Sequence, residues 1–149
     1  MSSRWLLDTN VLLAWLWPAH EAHNAAAEWM RSNHEDGWST CALTQISFLR
    51  ILTNRSFSPH APTWRDAIEV LRKHTEGNPL HSFWKHSLTL IEVDVLFGSR
   101  IKGPNQIMDA CLLALAMNHD ARLVTFDLRM TALVSADSKE ADALLILRP

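Results

Sequence analysis

The sequence has no excess of basic residues. Its 14 lysines and arginines stand against 16 acidic residues, which gives a net charge of −2. The chain as a whole therefore lacks the positive field that marks strongly basic nucleic-acid-binding domains. A nucleic-acid substrate would have to bind at a local basic patch.

Cysteine and long hydrophobic runs are scarce as well. Cys41 and Cys111 lie in apolar surroundings without CxxC spacing, which is typical of reduced, buried thiols and not of a disulfide framework. The apolar run at residues 110–117 is far shorter than the ~20 residues that span a bilayer. Asp8 interrupts the apolar N-terminal run, and no small-residue cleavage site follows Trp17. We therefore expect a cytoplasmic protein without a membrane segment.

Short apolar segments alternate with helical ones along the chain. We predict strands at residues 5–8, 38–42, 87–93, 123–126 and 144–147, and helices at residues 10–17, 22–33, 44–53, 64–74 and 105–118. No repeat or flexible linker divides the 149 residues, so we expect one domain over residues 1–149. The alternation predicts an α/β fold, a three-layer α/β/α sandwich around a parallel sheet of four or five strands.

Two aspartates stand where predicted strands end. Asp8 is the last residue of the first strand and Asp127 follows the fourth, and in parallel sheets the carboxyl ends of the strands share the edge that binds ligands. A third, Asp109, lies in a helix that is apolar nearly all round, where an isolated carboxylate needs a partner. If that helix reaches the same edge, three carboxylates converge.

Converging carboxylates need a proton or a cation between them. Two such charges ~5 Å apart repel by roughly 3 kcal/mol at an effective dielectric of about 20. Oxygen ligands without histidine favour Mg²⁺ or Mn²⁺ over zinc. Each acid also has a structural interpretation: a helix cap for Asp8, a turn residue for Asp127 and a structural hydrogen bond for Asp109.

Four segments of the chain carry a resemblance to a known family. In this order, LLDTNVLLAWL, TCALTQISFLRILTN, PNQIMDACLLALA and LVTFD resemble the signature blocks of PIN-domain proteins, and most of all those of the VapC toxins of bacterial toxin–antitoxin pairs. The resemblance covers residues 5–147. It implies a metal-dependent endoribonuclease that cleaves RNA with metal-activated water, usually a homodimer, inhibited by a cognate antitoxin protein.

The resemblance also implies roles for single residues. By position, the family's metal-binding aspartates correspond to Asp8, Asp109 and Asp127. The polar pair after the first of these corresponds to Thr9 and Asn10, and a hydroxyl near the last to Thr125.

One catalytic position departs from the family pattern. Similar proteins mostly carry glutamate where this chain has Gln45, and an amide offers a carbonyl oxygen but neither a charge nor a base. Three interpretations follow: an inactivating change, an enzyme that works with one ion, or compensation by another acid such as Glu92 or Asp94.

Substrate contacts and rival functions complete the sequence-based hypotheses. We predict that Arg50, Arg55 and Lys102 form a rim for the RNA backbone. One rival is a catalytically silent PIN fold that acts as a binding module. Another is an aspartyl-phosphate phosphotransferase with Asp8 as nucleophile, although such chemistry usually wants an acid two residues on, where this chain has Asn10.

Overall fold

The central element is a five-stranded, fully parallel sheet. A computed structural model describes residues 3–149, and its strands, in the spatial order β3-β2-β1-β4-β5, are β1 (Trp5–Leu7), β2 (Trp38–Cys41), β3 (His81–Trp84), β4 (Arg122–Thr125) and β5 (Leu144–Ile146). This architecture confirms the predicted α/β class. The order makes β1 and β4 direct neighbours, although more than 110 residues separate them in sequence.

Helices cover both faces of the sheet. In chain order they are α1 (Thr9–Leu16), α2 (His23–Asn33), α3 (Ala42–Leu52), α4 (Trp64–Thr75), α5 (Leu90–Phe97), α6 (Asn105–Asn118) and the short α7 (Lys139–Asp142). Helices α1 to α4 pack on one face and α5 and α6 on the other, each around its own apolar cluster. None of the helices described within residues 3–149 is long and apolar enough to cross a membrane.

The structure corrects the prediction for the middle of the chain. Residues 87–93 do not form a strand; instead Thr89 and Glu92 exchange side-chain and backbone hydrogen bonds in a capping box that starts α5. The strand of this region is β3, which the sequence analysis missed. Glu92, one of the two acids considered as compensation for Gln45, is exposed and accepts the backbone N–H of Thr89 in this helix cap.

Helix α3 is buried on one face only. A spacing of three along this helix relates Ile46, Leu49 and Leu52, but the structure buries Leu49 and Leu52 and leaves Ile46 55% exposed. Thr44 and Phe48 complete the buried face instead. Ile46 therefore lies on the open surface between α3 and α4.

Candidate active site

Asp8 lies directly beyond the end of β1, at the carboxyl edge of the sheet. Its backbone N–H donates to the carbonyl of Val124 on β4 at 2.9 Å, and its carboxylate caps α1 by accepting the backbone N–H of Thr9 at 2.7 Å. The residue is only 6% exposed. Loss of hydration raises the pKa of Asp8, and the nearby charge of Asp127 raises it further.

Thr125, the last residue of β4, joins the two strand ends. Its hydroxyl donates to the second carboxylate oxygen of Asp8 at 2.7 Å and accepts the backbone N–H of Asp127 at 3.0 Å. Asn10 donates to the same hydroxyl at 3.1 Å and accepts the backbone N–H of Phe126 at 3.1 Å. The network fixes the orientation of Asp8 through buried or half-buried groups.

Asp127 is held by a neighbouring cation. Arg129 donates from Nε to one carboxylate oxygen at 2.9 Å and from Nη2 to the other at 3.0 Å, and these bonds hold the pKa of Asp127 below its usual range. Asp127 also accepts the backbone N–H of Arg129 at 2.9 Å, which caps the 3₁₀ turn after β4. The helix-cap interpretation of Asp8 and the turn interpretation of Asp127 are thus both confirmed as structural roles.

Asp109, the fifth residue of α6, faces the same edge. Partial burial, with the negative charges of Asp8 and Asp127, raises its pKa to about 6. Arg129 opposes this shift to a smaller extent. The three carboxylates therefore lie close enough to influence one another's ionisation.

The present arrangement of these acids is not that of a closed metal site. Within residues 3–149, no three acidic, histidine or cysteine side chains are grouped as a metal-binding cluster. The guanidinium of Arg129 instead binds both carboxylate oxygens of Asp127. The Arg129 side chain is 88% exposed, so it can leave without disturbing the core. Thr9 directly follows Asp8, and its buried hydroxyl has no hydrogen-bond partner among the described residues.

Gln45 forms its hydrogen bond with the sheet and not with the aspartates. Its Nε2 lies 3.0 Å from Oγ1 of Thr40 on β2, and the same hydroxyl lies 2.8 Å from Nε2 of His81 on β3. Burial lowers the pKa of His81 to about 4, so its ring is neutral at pH 7. Sequence reasoning missed Thr40 and His81 because the strand that carries His81 was itself not predicted.

Of the three predicted RNA contacts, Arg50 alone lines the groove next to Gln45. This groove, about 410 Å³ in volume, lies between α3, α4 and β3 and also contains Trp64 and Phe83. Gln45 and Arg50, both on α3, thus line the same groove. Arg55 follows α3 in an exposed turn, and the ammonium of Lys102 donates to the backbone carbonyl of Ser99 at 3.0 Å.

The family follows from this fold and from comparison with known proteins. The family model described as the PIN domain matches residues 5–135. This span includes Asp8, Gln45, Asp109 and Asp127. The chain belongs to the PIN-domain family.

Curated relatives place it more closely. It is 38% identical to ribonuclease VapC44 of Mycobacterium tuberculosis, over 95% of this chain and 99% of that protein. It is 37% identical to ribonuclease VapC38 of the same organism, over 95% and 98% of the two chains. Within the PIN-domain proteins, the chain is thus a member of the VapC ribonucleases.

Solved structures agree on the fold. The crystal structure of M. tuberculosis VapC20, described as a sarcin–ricin loop cleaving toxin, aligns with a TM-score of 0.62 at 12% identity over 97% of this chain and 99% of that one. PAE2754 from Pyrobaculum aerophilum aligns with a TM-score of 0.60 at 20% identity over 89% and 81%. At these identities, the comparison supports the architecture alone.

Proposed function

We propose that the protein is the toxin of a toxin–antitoxin pair and an endoribonuclease that depends on a divalent metal ion. The observation that carries this proposal is that the charge of Asp127 raises the pKa of Asp8 and the charges of Asp8 and Asp127 raise that of Asp109 at the carboxyl edge of the sheet, in a chain related to a ribonuclease over 95% of its length.

The donor set fits a hard cation. Asp8 and Asp109 would hold the ion, because burial and neighbouring carboxylates raise the pKa of each, and neither forms an ion pair with another described residue. Asp127 would join them once Arg129 swings into solvent. With oxygen donors alone, Mg²⁺ or Mn²⁺ is the expected ion, and when bound it would activate water and neutralise charge on the phosphodiester.

The protein's own residues supply orientation. Thr125 and the backbone N–H of Thr9 each hold one oxygen of Asp8, and Asn10 ties that pair to the backbone of β4's end. Gln45 contributes an amide and no charge. The site therefore carries three formal negative charges, which favours one bound ion over two.

Substrate RNA would lie along the groove next to Gln45. The groove's lining has one charged residue, Arg50, and no acidic one. Trp64 is 63% and Phe83 50% exposed, and exposed aromatic rings beside a cation suit stacking on bases of a single strand.

The protein would act in the cytoplasm with two protein partners. A cognate antitoxin would inhibit the enzyme, and a second copy of the chain would form a homodimer with it. The crystal structure of VapBC2 from Rickettsia felis bound to a promoter DNA fragment has a similar fold, with a TM-score of 0.59 at 10% identity over 96% of this chain and 98% of that one.

Cleavage of a pool of cellular RNAs, with Mg²⁺, Mn²⁺ or a chelator, tests the proposal. We expect metal-dependent cleavage that Asp8→Asn and Asp109→Asn abolish, and a thermal midpoint that metal raises in the original chain but much less in either variant. Asp142→Asn, which removes an exposed carboxylate on α7, should behave like the original chain. Cleavage that persists in both variants and in chelator would refute the proposal.

A further inference from the structure

The amide of Gln45 is one end of a hydrogen-bonded network of three residues, Gln45, Thr40 and His81, which spans strands β2 and β3. Gln45 Nε2 and His81 Nε2 lie on either side of the Thr40 hydroxyl, at 3.0 and 2.8 Å. Thr40 is fully buried and His81 is partly buried. Since Thr40 and His81 lie on adjacent strands, the sheet itself fixes the distance between these two residues.

The number of available hydrogens determines which group donates each hydrogen bond of the Gln45–Thr40–His81 network. His81 is neutral, and the Gln45 amide N–H donates to the Thr40 hydroxyl oxygen. The backbone of Thr75, which works against the lowering of the His81 pKa, favours a hydrogen on the ring nitrogen that does not face Thr40. Nε2 of His81 is therefore an acceptor, and the single hydrogen of the Thr40 hydroxyl must go to it. The hydroxyl oxygen is then free only to accept, so the N–H of the Gln45 amide faces it and the carbonyl oxygen Oε1 is the arm left free.

A glutamate at position 45 could not fit the same surroundings. A carboxylate and a neutral imidazole nitrogen are both acceptors, and Thr40 has one hydrogen to offer. One of the two would be left without a donor in a partly buried place, at a substantial free-energy penalty. The conflict disappears only if one extra proton binds, either to the carboxyl group or to the imidazole.

We propose that Thr40 and His81 are positioning residues that select an amide at position 45 and turn its carbonyl oxygen toward the catalytic edge. This inference rests on the proposed ribonuclease function. It implies that this site accommodates glutamine better than glutamate at position 45. The variant Gln45→Glu, which introduces the residue of similar proteins, should therefore lower activity instead of raising it. The silent-module hypothesis makes the opposite prediction.

Nuclear magnetic resonance of the full, metal-free chain at pH 7 tests the hydrogen count without any reference to activity. In the original chain we expect a neutral His81 ring with its hydrogen on Nδ1. In Gln45→Glu we expect one extra proton, seen in the ring nitrogen signals of His81 or the carboxyl carbon signal of residue 45. In Gln106→Glu the matched carboxyl should stay ionised, because the Gln106 side chain accepts a backbone N–H. An ionised carboxyl at position 45 beside a neutral His81 would overturn the proposal.

Rescue provides a second arm. In the double variant Gln45→Glu with His81→Gln, the new amide can turn its N–H toward Thr40, so the hydroxyl is free to donate to the carboxylate. We expect the extra proton to disappear from this variant. Retention of the proton there would contradict the mechanism.

Kinetics separate positioning from folding. Thr40→Val should lower kcat about tenfold with KM for RNA little changed, while Thr40→Ser, which keeps the hydroxyl, stays within about threefold. Ser39→Ala removes a buried, unpaired hydroxyl from the opposite face of β2 and should have no effect. A Thr40→Val enzyme with full kcat, or a Gln45→Glu enzyme faster than the original, would overturn the proposal. If neither the original protein nor any variant cleaves RNA, the ribonuclease proposal fails. The magnetic resonance experiment still tests the hydrogen bonds between Gln45, Thr40 and His81 in that case.

Discussion

The hydroxyl of Thr125 donates a 2.7 Å hydrogen bond to the carboxylate of Asp8, 117 positions earlier in the chain. Both residues are buried, and the bond joins the ends of the two neighbouring strands β1 and β4. It also favours the ionised form of an acid that desolvation opposes. Thr125 is thus both a structural link and part of what keeps Asp8 available as an anion.

Removal of this hydroxyl should weaken the protein as well as the site. In Thr125→Val, Asp8 and Asn10 each lose a partner, and an unpaired buried polar group costs about 1–3 kcal/mol. We expect a free energy of unfolding lower by about 2 kcal/mol in urea titrations and little remaining RNA cleavage. Thr125→Ser should restore both quantities, and equal stability of the valine variant and the original chain would contradict this account.

Arg129 should compete with the metal ion for Asp127. Its guanidinium covers both carboxylate oxygens, so Arg129→Gln should tighten binding of Mg²⁺ or Mn²⁺ severalfold, as measured by calorimetry. Because the arginine side chain is almost wholly exposed, stability should change little.

Arg72 offers a matched control for this experiment. It also forms ion pairs with two carboxylate groups, those of Glu69 and Glu76, but on the surface of α4. Arg72→Gln should leave metal affinity unchanged. Weaker metal binding in Arg129→Gln would show that the arginine supports the site instead of blocking it.

The neutral state of His81 predicts how stability depends on pH. Its folded pKa of about 4 lies below the usual 6.5, so between these values the unfolded chain binds a proton that the folded chain does not. The stabilisation is complete above pH 6.5 and is lost as the pH falls toward 4. Allowing for partial exposure, we expect a loss of about 1–2 kcal/mol.

Urea unfolding at pH 7 and pH 4.5 measures this difference. The loss should be smaller by that amount in His81→Gln, which has no titrating ring. His60→Gln, a change in an exposed loop, should follow the original chain. Parallel stability curves for His81→Gln and the original chain would contradict the assignment.

Trp64 should contribute to RNA affinity. Stacking on one base is worth about 1–3 kcal/mol, so Trp64→Ala should weaken binding of a labelled single-stranded RNA in chelator by about 5- to 100-fold in fluorescence anisotropy. Ile91→Ala, at an exposed apolar residue of α5 on the other side of the sheet, is the control. Unchanged RNA affinity together with a changed oligomeric mass would assign the groove to a protein partner.

The sequence was most informative where an apolar run meets an acid. The strands that precede Asp8 and Asp127 are buried on both faces, so their hydrophobic signal is continuous and the acids stand out at their ends. β3 gave no such signal because it is an edge strand that reads His-Ser-Phe-Trp, of which only Trp84 is buried. The apolar residues that follow it belong to a helix started by the cap at Thr89, and hydrophobicity alone could not distinguish these cases.

Contacts between distant side chains were beyond prediction. Nothing in the spacing of Thr40 and His81 shows that they meet, since this depends on the register of β2 against β3. Arg129 was close enough to Asp127 in sequence to suggest a pairing, but its hold on both oxygens depends on the 3₁₀ turn between them. Composition and periodicity carry no information on either.

The distribution of the acidic edge along the chain has a consequence during protein synthesis. Its parts come from residue 8, from the first half of α6 and from residues 125–127, so β1 has no β4 to lie against until residue 125 has been translated. A nascent chain still threaded in the ribosome therefore holds an incomplete centre.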